Sequence, residues 1–218
     1  MSLKIKICGL SEPDTVRRAA RAGADWLGFV FHPTSPRAIT ISAAQSLLMH
    51  IGPAIPVALL VDPSDERLDE IISIGFPIIQ LHGQESPERV KQIKQRTGAE
   101  VWKAIPVSTR QDLQKAYLYA GFADRLLLDA KPPQNATRTG GHGMRFDWSL
   151  VEDWTYPGGF LSPWLLAGGL RADNLAEAVA KTGAKALDVS SGVETAPGRK
   201  SASLIEEFVI KAKTLELR

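Results

Sequence analysis

The chain has 218 residues, 44% hydrophobic and 23% charged, with a formal net charge of +2. That is ordinary globular composition, which excludes disordered, fibrous and membrane classes, and the scattered Lys and Arg leave no basic footprint for nucleic acid. No stretch approaches the roughly 18 consecutive apolar residues of a membrane span, and a single cysteine, Cys8, excludes an intramolecular disulfide framework and a cysteine-rich zinc site. The start of the chain carries no signal-peptide pattern. These features lead us to expect a cytoplasmic protein whose partner is a small molecule, with no nucleic-acid or membrane partner.

Residues Lys4–Cys8 read as a strand. Side chains alternate along it, so Cys8 shares a face with Lys4 and Lys6 while Ile5 and Ile7 share the other; if the isoleucines meet helices, Cys8 points inward at the strand end. Ser11 ahead of Glu12-Pro13-Asp14 reads as a helix N-cap, and Gly23 closes that helix before a strand at 26–31. A Pro-rich connection, 31–40, carries Arg37. A strand at 56–61 follows, then a helix opened by Ser64 before Asp65-Glu66 and ended at Gly75. The strand at 77–81 leads to Ser86 before Pro87-Glu88, a helix ended at Gly98, and a strand at 101–105. Gly121 precedes the strand at 125–129, which runs into a long connection, 130–147, rich in Pro, Gly, Ser and Thr. A strand at 164–167, a helix ended at Gly183 and a strand at 185–190 come next. An amphipathic helix over 201–218 completes the chain.

Eight short strands alternating with helical stretches imply parallel β joined by crossover helices. In a chain of this length that is an α/β fold, a closed (βα)8 TIM barrel occupying 1–218 as one domain, rather than an open doubly wound sheet. No G-x-G-x-x-G follows the first strand. The active face of such a barrel is the C-terminal end of its strands, which both long connections leave.

At that face Cys8 ends the first strand and Asp129 the sixth, and a thiol with a carboxyl makes a candidate acid/base pair. Taken alone, Cys8 is more simply a buried, inert small side chain, and Asp129 a loop cap or a partner of Lys131. Gly168-Gly169 and Ser190-Ser191-Gly192 end the last two strands, where loops often offer backbone N–H groups to a phosphate; each also reads as plain turn chemistry. Arg37 is placed to pair with a substrate carboxylate, or is an exposed surface charge. His82, ending the fourth strand, is expected to line the site and contact substrate, or is a hydrogen-bonded structural residue. His32, His50, His82 and His142 are dispersed with no metal-site spacing, so neither metal nor cofactor is expected. Trp26, Trp102, Trp148 and Trp154 read as packing residues.

Seven motifs in order, Lys6-Ile7-Cys8-Gly9, Ser35-Pro36-Arg37, Gln80-Leu81-His82-Gly83, Leu128-Asp129-Ala130-Lys131, Gly140-Gly141-His142-Gly143 with Phe146-Asp147-Trp148, Leu166-Ala167-Gly168-Gly169-Leu170 and Asp188-Val189-Ser190-Ser191-Gly192-Val193-Glu194, resemble the phosphoribosylanthranilate isomerase family. The resemblance spans nearly the whole chain; His142 stands where the family commonly has a small polar residue. It implies the Amadori rearrangement of N-(5'-phosphoribosyl)anthranilate in tryptophan biosynthesis. Asp129 is then the acid that protonates the furanose ring oxygen, and Cys8 the base that takes the C2' proton. Phosphate would lie at Gly168, Gly169 and 190–192, and the anthranilate carboxylate near Arg37. Such a pair needs a thiol below its ordinary pKa near 8.5 and an aspartate above about 3.9; Lys6 would favour the thiolate and burial the protonated Asp129.

Two other readings compete. The histidine-pathway phosphoribosyl isomerase performs the same rearrangement but resembles a carboxylate-pair enzyme, and Cys8 stands against it. A noncatalytic phosphate-ligand-binding barrel would keep the glycine loops and leave Cys8 merely packed. An indole-forming barrel enzyme of the same pathway shows no matching pattern. The sequence leaves monomer and homodimer equally open.

Overall fold

The computed structural model describes residues 2–119, 121–131, 147–152 and 163–215. In chain order the elements are β1 Lys4–Cys8, α1 Pro13–Ala22, β2 Trp26–Val30, α2 Ile41–Leu48, β3 Ile55–Leu60, α3 Asp65–Ser73, β4 Ile78–Leu81, α4 Pro87–Thr97, β5 Glu100–Val107, α5 Arg110–Ala116, β6 Arg125–Ala130, β7 Trp164–Leu166, α6 Leu175–Thr182, β8 Ala186–Val189, β9 Glu194–Ala196, β10 Arg199–Lys200 and α7 Ala202–Thr214. Strands β1 to β8 form a closed parallel barrel in sequence order, with β8 returning to pair with β1. The expected (βα)8 barrel is therefore the observed fold. The glycine-rich segment at 140–146 and Trp154 lie outside the described residues.

Side-chain alternation sorts the strands into two cores. Ile5, Ile7, Leu27, Phe29, Ile79, Leu81, Leu126 and Leu128 point outward and pack with helix residues such as Val16, Ala19, Leu68, Val90 and Phe208. The opposite parity fills the lower barrel interior with Trp26, Val57, Ile78, Trp102, Ala104, Leu127, Leu165 and Ala186. Above that plug Cys8, Val30 and Leu59 form a small apolar cluster. Cys8 thus lies on the interior face, as the alternation predicts.

Ser64 and Ser86 cap α3 and α4 by accepting from Arg67 and Arg89 N–H. Ser11 does not cap α1. Its N-cap is Glu12, because Pro13 fixes the first helical φ one residue later than the serine implies, and no side chain accepts there. Thr40 and Thr109 cap helices whose starts the sequence left unmarked, and Ser201 caps the last helix at the start expected for it. Gly23, Gly98 and Gly183 close their helices in the left-handed region, whereas Gly121 follows a 3-10 turn at Tyr117–Tyr119.

The lower plug is held by aromatic geometry. Trp26 and Trp102 meet edge to face with ring centroids 5.1 Å apart, and the Arg125 guanidinium lies 5.3 Å and 5.7 Å from the two rings. Glu100 accepts from both Trp102 Nε1 and Arg125 Nε at 2.8 Å, so the buried indole donor is satisfied and the cation is held over the rings. Removing the wholly buried ring of Trp102 by Trp102→Ala should cost about 3–5 kcal/mol of stability. Urea unfolding checks this: the midpoint falls while the slope holds, and an unchanged midpoint would mean the ring does not fill the interior.

Candidate active site

At the upper end of β1 two interior residues, Lys6 and Cys8, follow one another. Lys6 is wholly buried and donates to Asp188 Oδ1 at 2.9 Å; the two are register partners where β1 meets β8. On the other side, Cys8 pairs in register with Gly28. A Cβ on Gly28 would stand 3.0 Å from both Cys8 Sγ and Lys6 Nζ, so a side chain is missing from β2 where the thiol and ammonium need the room. Burial works against the Lys6 ammonium, but Asp188 and Cys8 outweigh it and hold its pKa above the ordinary value. The thiol behaves differently. Burial pushes the Cys8 pKa up, and the attractions of Lys6 and Lys200 do not bring it back. The expectation of a lowered thiol is therefore corrected: Lys6 pulls in the expected direction, and desolvation wins.

Asp129 ends β6 on the interior face, three strands round the ring from Cys8 by way of β7 and β8. Its Oδ1 accepts from Ala130 N–H at 2.9 Å, and its Oδ2 stands 3.4 Å from His82 Nε2. His82 Nδ1 in turn lies 3.3 Å from the amide nitrogen of Gln80, a wholly buried interior residue of β4. The structure thus brings two predicted site residues, Asp129 and His82, side by side.

Arg37 is not a surface charge; its side chain is only 4% exposed. Nε and Nη2 donate to the two oxygens of Glu194, each at 2.7 Å, in a fork that fixes the guanidinium plane. Glu194 also accepts from Lys200 Nζ at 2.7 Å, and Lys200 donates further to the Ser190 carbonyl at 2.9 Å. One carboxylate therefore joins the loop after β2, the loop after β8 and the β9/β10 hairpin. Burial raises a carboxylate's pKa, but Arg37 and Lys200 together hold Glu194 below the usual range. Burial brings Lys200 down to about 8 against the pull of Glu194. Lys200 and Gly28 were missed from the sequence. The Pro197-Gly198 dipeptide, a turn signal between Glu194 and Lys200, is the one cue that pointed to the hairpin.

The glycine loops meet each other and Asp129. Gly168 has φ +83°, and a Cβ there would lie 2.7 Å from Ala130 N and 3.2 Å from Asp129 Oδ1, so only glycine fits both the conformation and the space. Gly192, in the 3-10 turn Ser191–Val193, presses so closely on the Leu170 carbonyl that a Cβ would overlap it. Asn174 braces the first loop, donating to the Gly169 carbonyl at 2.9 Å and accepting from Arg171 N–H at 2.8 Å. Ser191 and Gly192 also line a cavity of about 330 Å³ with Arg171, Asp173 and Glu207. Among the described residues no cluster of three His, Cys, Asp or Glu is arranged to hold a metal ion, and no helix is long and apolar enough to cross a membrane.

Comparison with known proteins bears on what this arrangement does. A family model described as N-(5'-phosphoribosyl)anthranilate (PRA) isomerase matches residues 5–211. A relative from Hyphomonas neptunium named N-(5'-phosphoribosyl)anthranilate isomerase is 54% identical over 213 residues, covering 98% of each chain. The crystal structure of phosphoribosyl anthranilate isomerase from Thermotoga maritima superposes with a TM-score of 0.85 at 34% identity, over 98% of this chain and 100% of the other. A further structure, of a phosphoribosyl anthranilate isomerase in complex with reduced 1-(o-carboxyphenylamino)-1-deoxyribulose 5-phosphate, superposes at 0.81 with 32% identity and the same coverage.

The raised thiol has a direct consequence. Alkylation of Cys8 by iodoacetamide in the resting protein should show a pH midpoint above that of an ordinary thiol, near 8.5, because the reactive thiolate forms only as pH climbs past the folded pKa. Mass spectrometry of the alkylated peptide across pH 6–10 reads the midpoint independently of accessibility, which scales the rate at every pH alike. A midpoint below 8 would mean that Lys6 and Lys200 prevail over burial.

Proposed function

The chain belongs to the N-(5'-phosphoribosyl)anthranilate isomerase family, and from that premise we propose how its residues share the reaction. It is an isomerase that converts N-(5'-phosphoribosyl)anthranilate to 1-(2-carboxyphenylamino)-1-deoxyribulose 5-phosphate by the Amadori rearrangement, an aldose–ketose step of tryptophan biosynthesis. In our reading Asp129 is the general acid and Cys8 the general base. The carboxyl of Asp129 gives its proton to the furanose ring oxygen; the C1'–O bond breaks as the anilino nitrogen's lone pair forms the C=N bond of a Schiff base. Cys8 then removes the proton from C2', and those electrons move toward the iminium to give an enolamine that tautomerises to the ketone. The iminium acidifies the neighbouring C–H enough for a modest base.

The observation that carries this reading is the shared interior face: Cys8 and Asp129 both end strands at the barrel mouth, with the glycine loops after β7 and β8 closing the arc between them. The remaining groups follow the substrate's shape. Backbone N–H groups at Gly168, Gly169 and Ser190 to Gly192 take the phosphate, His82 lines the mouth beside the acid, and the forked Arg37 faces the anthranilate carboxylate. The thiolate that takes the C2' proton has Lys6 and Lys200 as charged neighbours, which favour it against the burial that raises its pKa. We take residues 1–218 as one domain, supported by α7 packing against α1 where β8 meets β1 and the ring closes. The single buried cysteine and the biosynthetic role support a cytoplasmic location.

Turnover of freshly generated substrate, followed as loss of anthranilate fluorescence, tests the assignment. Cys8→Ala and Asp129→Asn should each lose roughly a hundred- to ten-thousandfold in kcat. Turnover that survives either change would remove that residue from the mechanism while leaving the substrate in place.

A further inference from the structure

The end of β4 is more rigid than site lining requires. Gly83, which follows His82, donates its N–H to Glu85 at 3.0 Å and 3.1 Å, and its carbonyl accepts from Lys103 Nζ at 2.8 Å. Lys103 and Glu85 are themselves a buried pair at 2.9 Å, reaching from β5 and from the loop after β4. Asp62, at the end of β3, closes the remaining side: a Cβ on Gly83 would stand 2.5 Å from its carboxylate. The backbone that carries His82 is thus clamped by charges that do not themselves reach Asp129. The imidazole is set between Gln80 Nε2 at 3.3 Å and Asp129 Oδ2 at 3.4 Å.

Gln80 contains the telling atom. Its Oε1 is buried with no hydrogen-bond partner among the described residues, a costly state for an amide oxygen. An amide can present either end to its neighbour. With Nε2 toward His82, Nδ1 accepts and the ring's proton sits on Nε2, facing a carboxylate. With Oε1 toward His82, Nδ1 carries the proton and Nε2 offers a lone pair to a protonated carboxyl; the oxygen then has a partner and the amide NH2 stands where Oε1 stood. We propose that His82 is a positioning residue for Asp129 and that Gln80 fixes the nitrogen that carries its proton: with Oε1 toward Nδ1–H, Nε2 accepts from the protonated carboxyl and holds it in place to give its proton away.

This inference rests on Asp129 being the general acid, and a double-mutant cycle separates the two claims. Measured kcat and KM for Gln80→Leu, His82→Leu and His82→Gln, each with and without Asp129→Asn, should show about a ten- to hundredfold loss of kcat for the two leucine variants, with KM unchanged. In the Asp129→Asn background those losses should nearly vanish, because the group being positioned is gone. His82→Gln, which keeps an accepting amide oxygen near the place of Nε2, should recover part of the loss. Affinity for the reduced product analogue should not move. A loss that appears in KM, or that persists in full without Asp129, would overturn the inference and make His82 a substrate-binding or purely structural group. Full kcat in the His82 and Gln80 variants with collapse in Asp129→Asn would overturn it alone. Undiminished turnover in Asp129→Asn would overturn the acid assignment and this inference with it. Should His82→Leu not fold, Gln80→Leu and His82→Gln carry the same comparison.

Discussion

The barrel closes on a charge. Its last strand returns to its first at Lys6 and Asp188, a register pair joined by a buried ion pair at 2.9 Å. A lysine with no access to water needs a carboxylate beside it, since leaving either partner alone costs about 3–5 kcal/mol. Only correct closure supplies the second partner. The same ammonium stands beside Cys8, so the bond that seals the ring also sets the electrostatics of the thiol. The vacancy of side-chain volume at Gly28 is the steric counterpart, because the strand beside β1 must give up its side chain for thiol and ammonium to coexist.

Around this seam the charged groups of the mouth are arranged as pairs rather than as free ions: Lys6 with Asp188, Arg37 and Lys200 with Glu194, Lys103 with Glu85. Each pair lets a charge remain in a low-dielectric place without uncompensated desolvation. The pairs also fix loops. Glu194 ties three of them together, and the Lys103–Glu85 pair immobilises the turn after His82. Preorganisation of this kind positions catalytic groups before substrate arrives.

What the sequence discloses and what it hides divide along a physical line. The period-two alternation of short strands is local, so it discloses that Cys8 and Asp129 face the interior, and Gly168-Gly169 and Ser190-Ser191-Gly192 announce the loops after β7 and β8. Eight strand segments were legible to within a residue or two at most ends, although Ser11 was mistaken for a cap because Pro13 shifts the helix start. Contacts between distant residues were not legible. Nothing near Arg37 announces that Glu194, 157 residues later, takes both arms of its guanidinium. Lys200 gave no signal because its burial is a property of the closed barrel. The thiol's direction was misread for the same reason: the neighbouring lysine is visible in the sequence, but the depth of burial that outweighs it is not.

The separation of these partners along the chain also orders events in time. Lys6 must meet Asp188 across 182 residues and Arg37 must meet Glu194 across 157, so both contacts require loop closure over nearly the whole polypeptide, the slowest kind to form. During synthesis the first strands emerge with their charged interior residues unpaired, and those charges prefer water to a premature apolar collapse. Both carboxylates, Asp188 and Glu194, lie in the last part of the sequence, so neither ion pair of the mouth can form before β8 and the β9/β10 hairpin are in place.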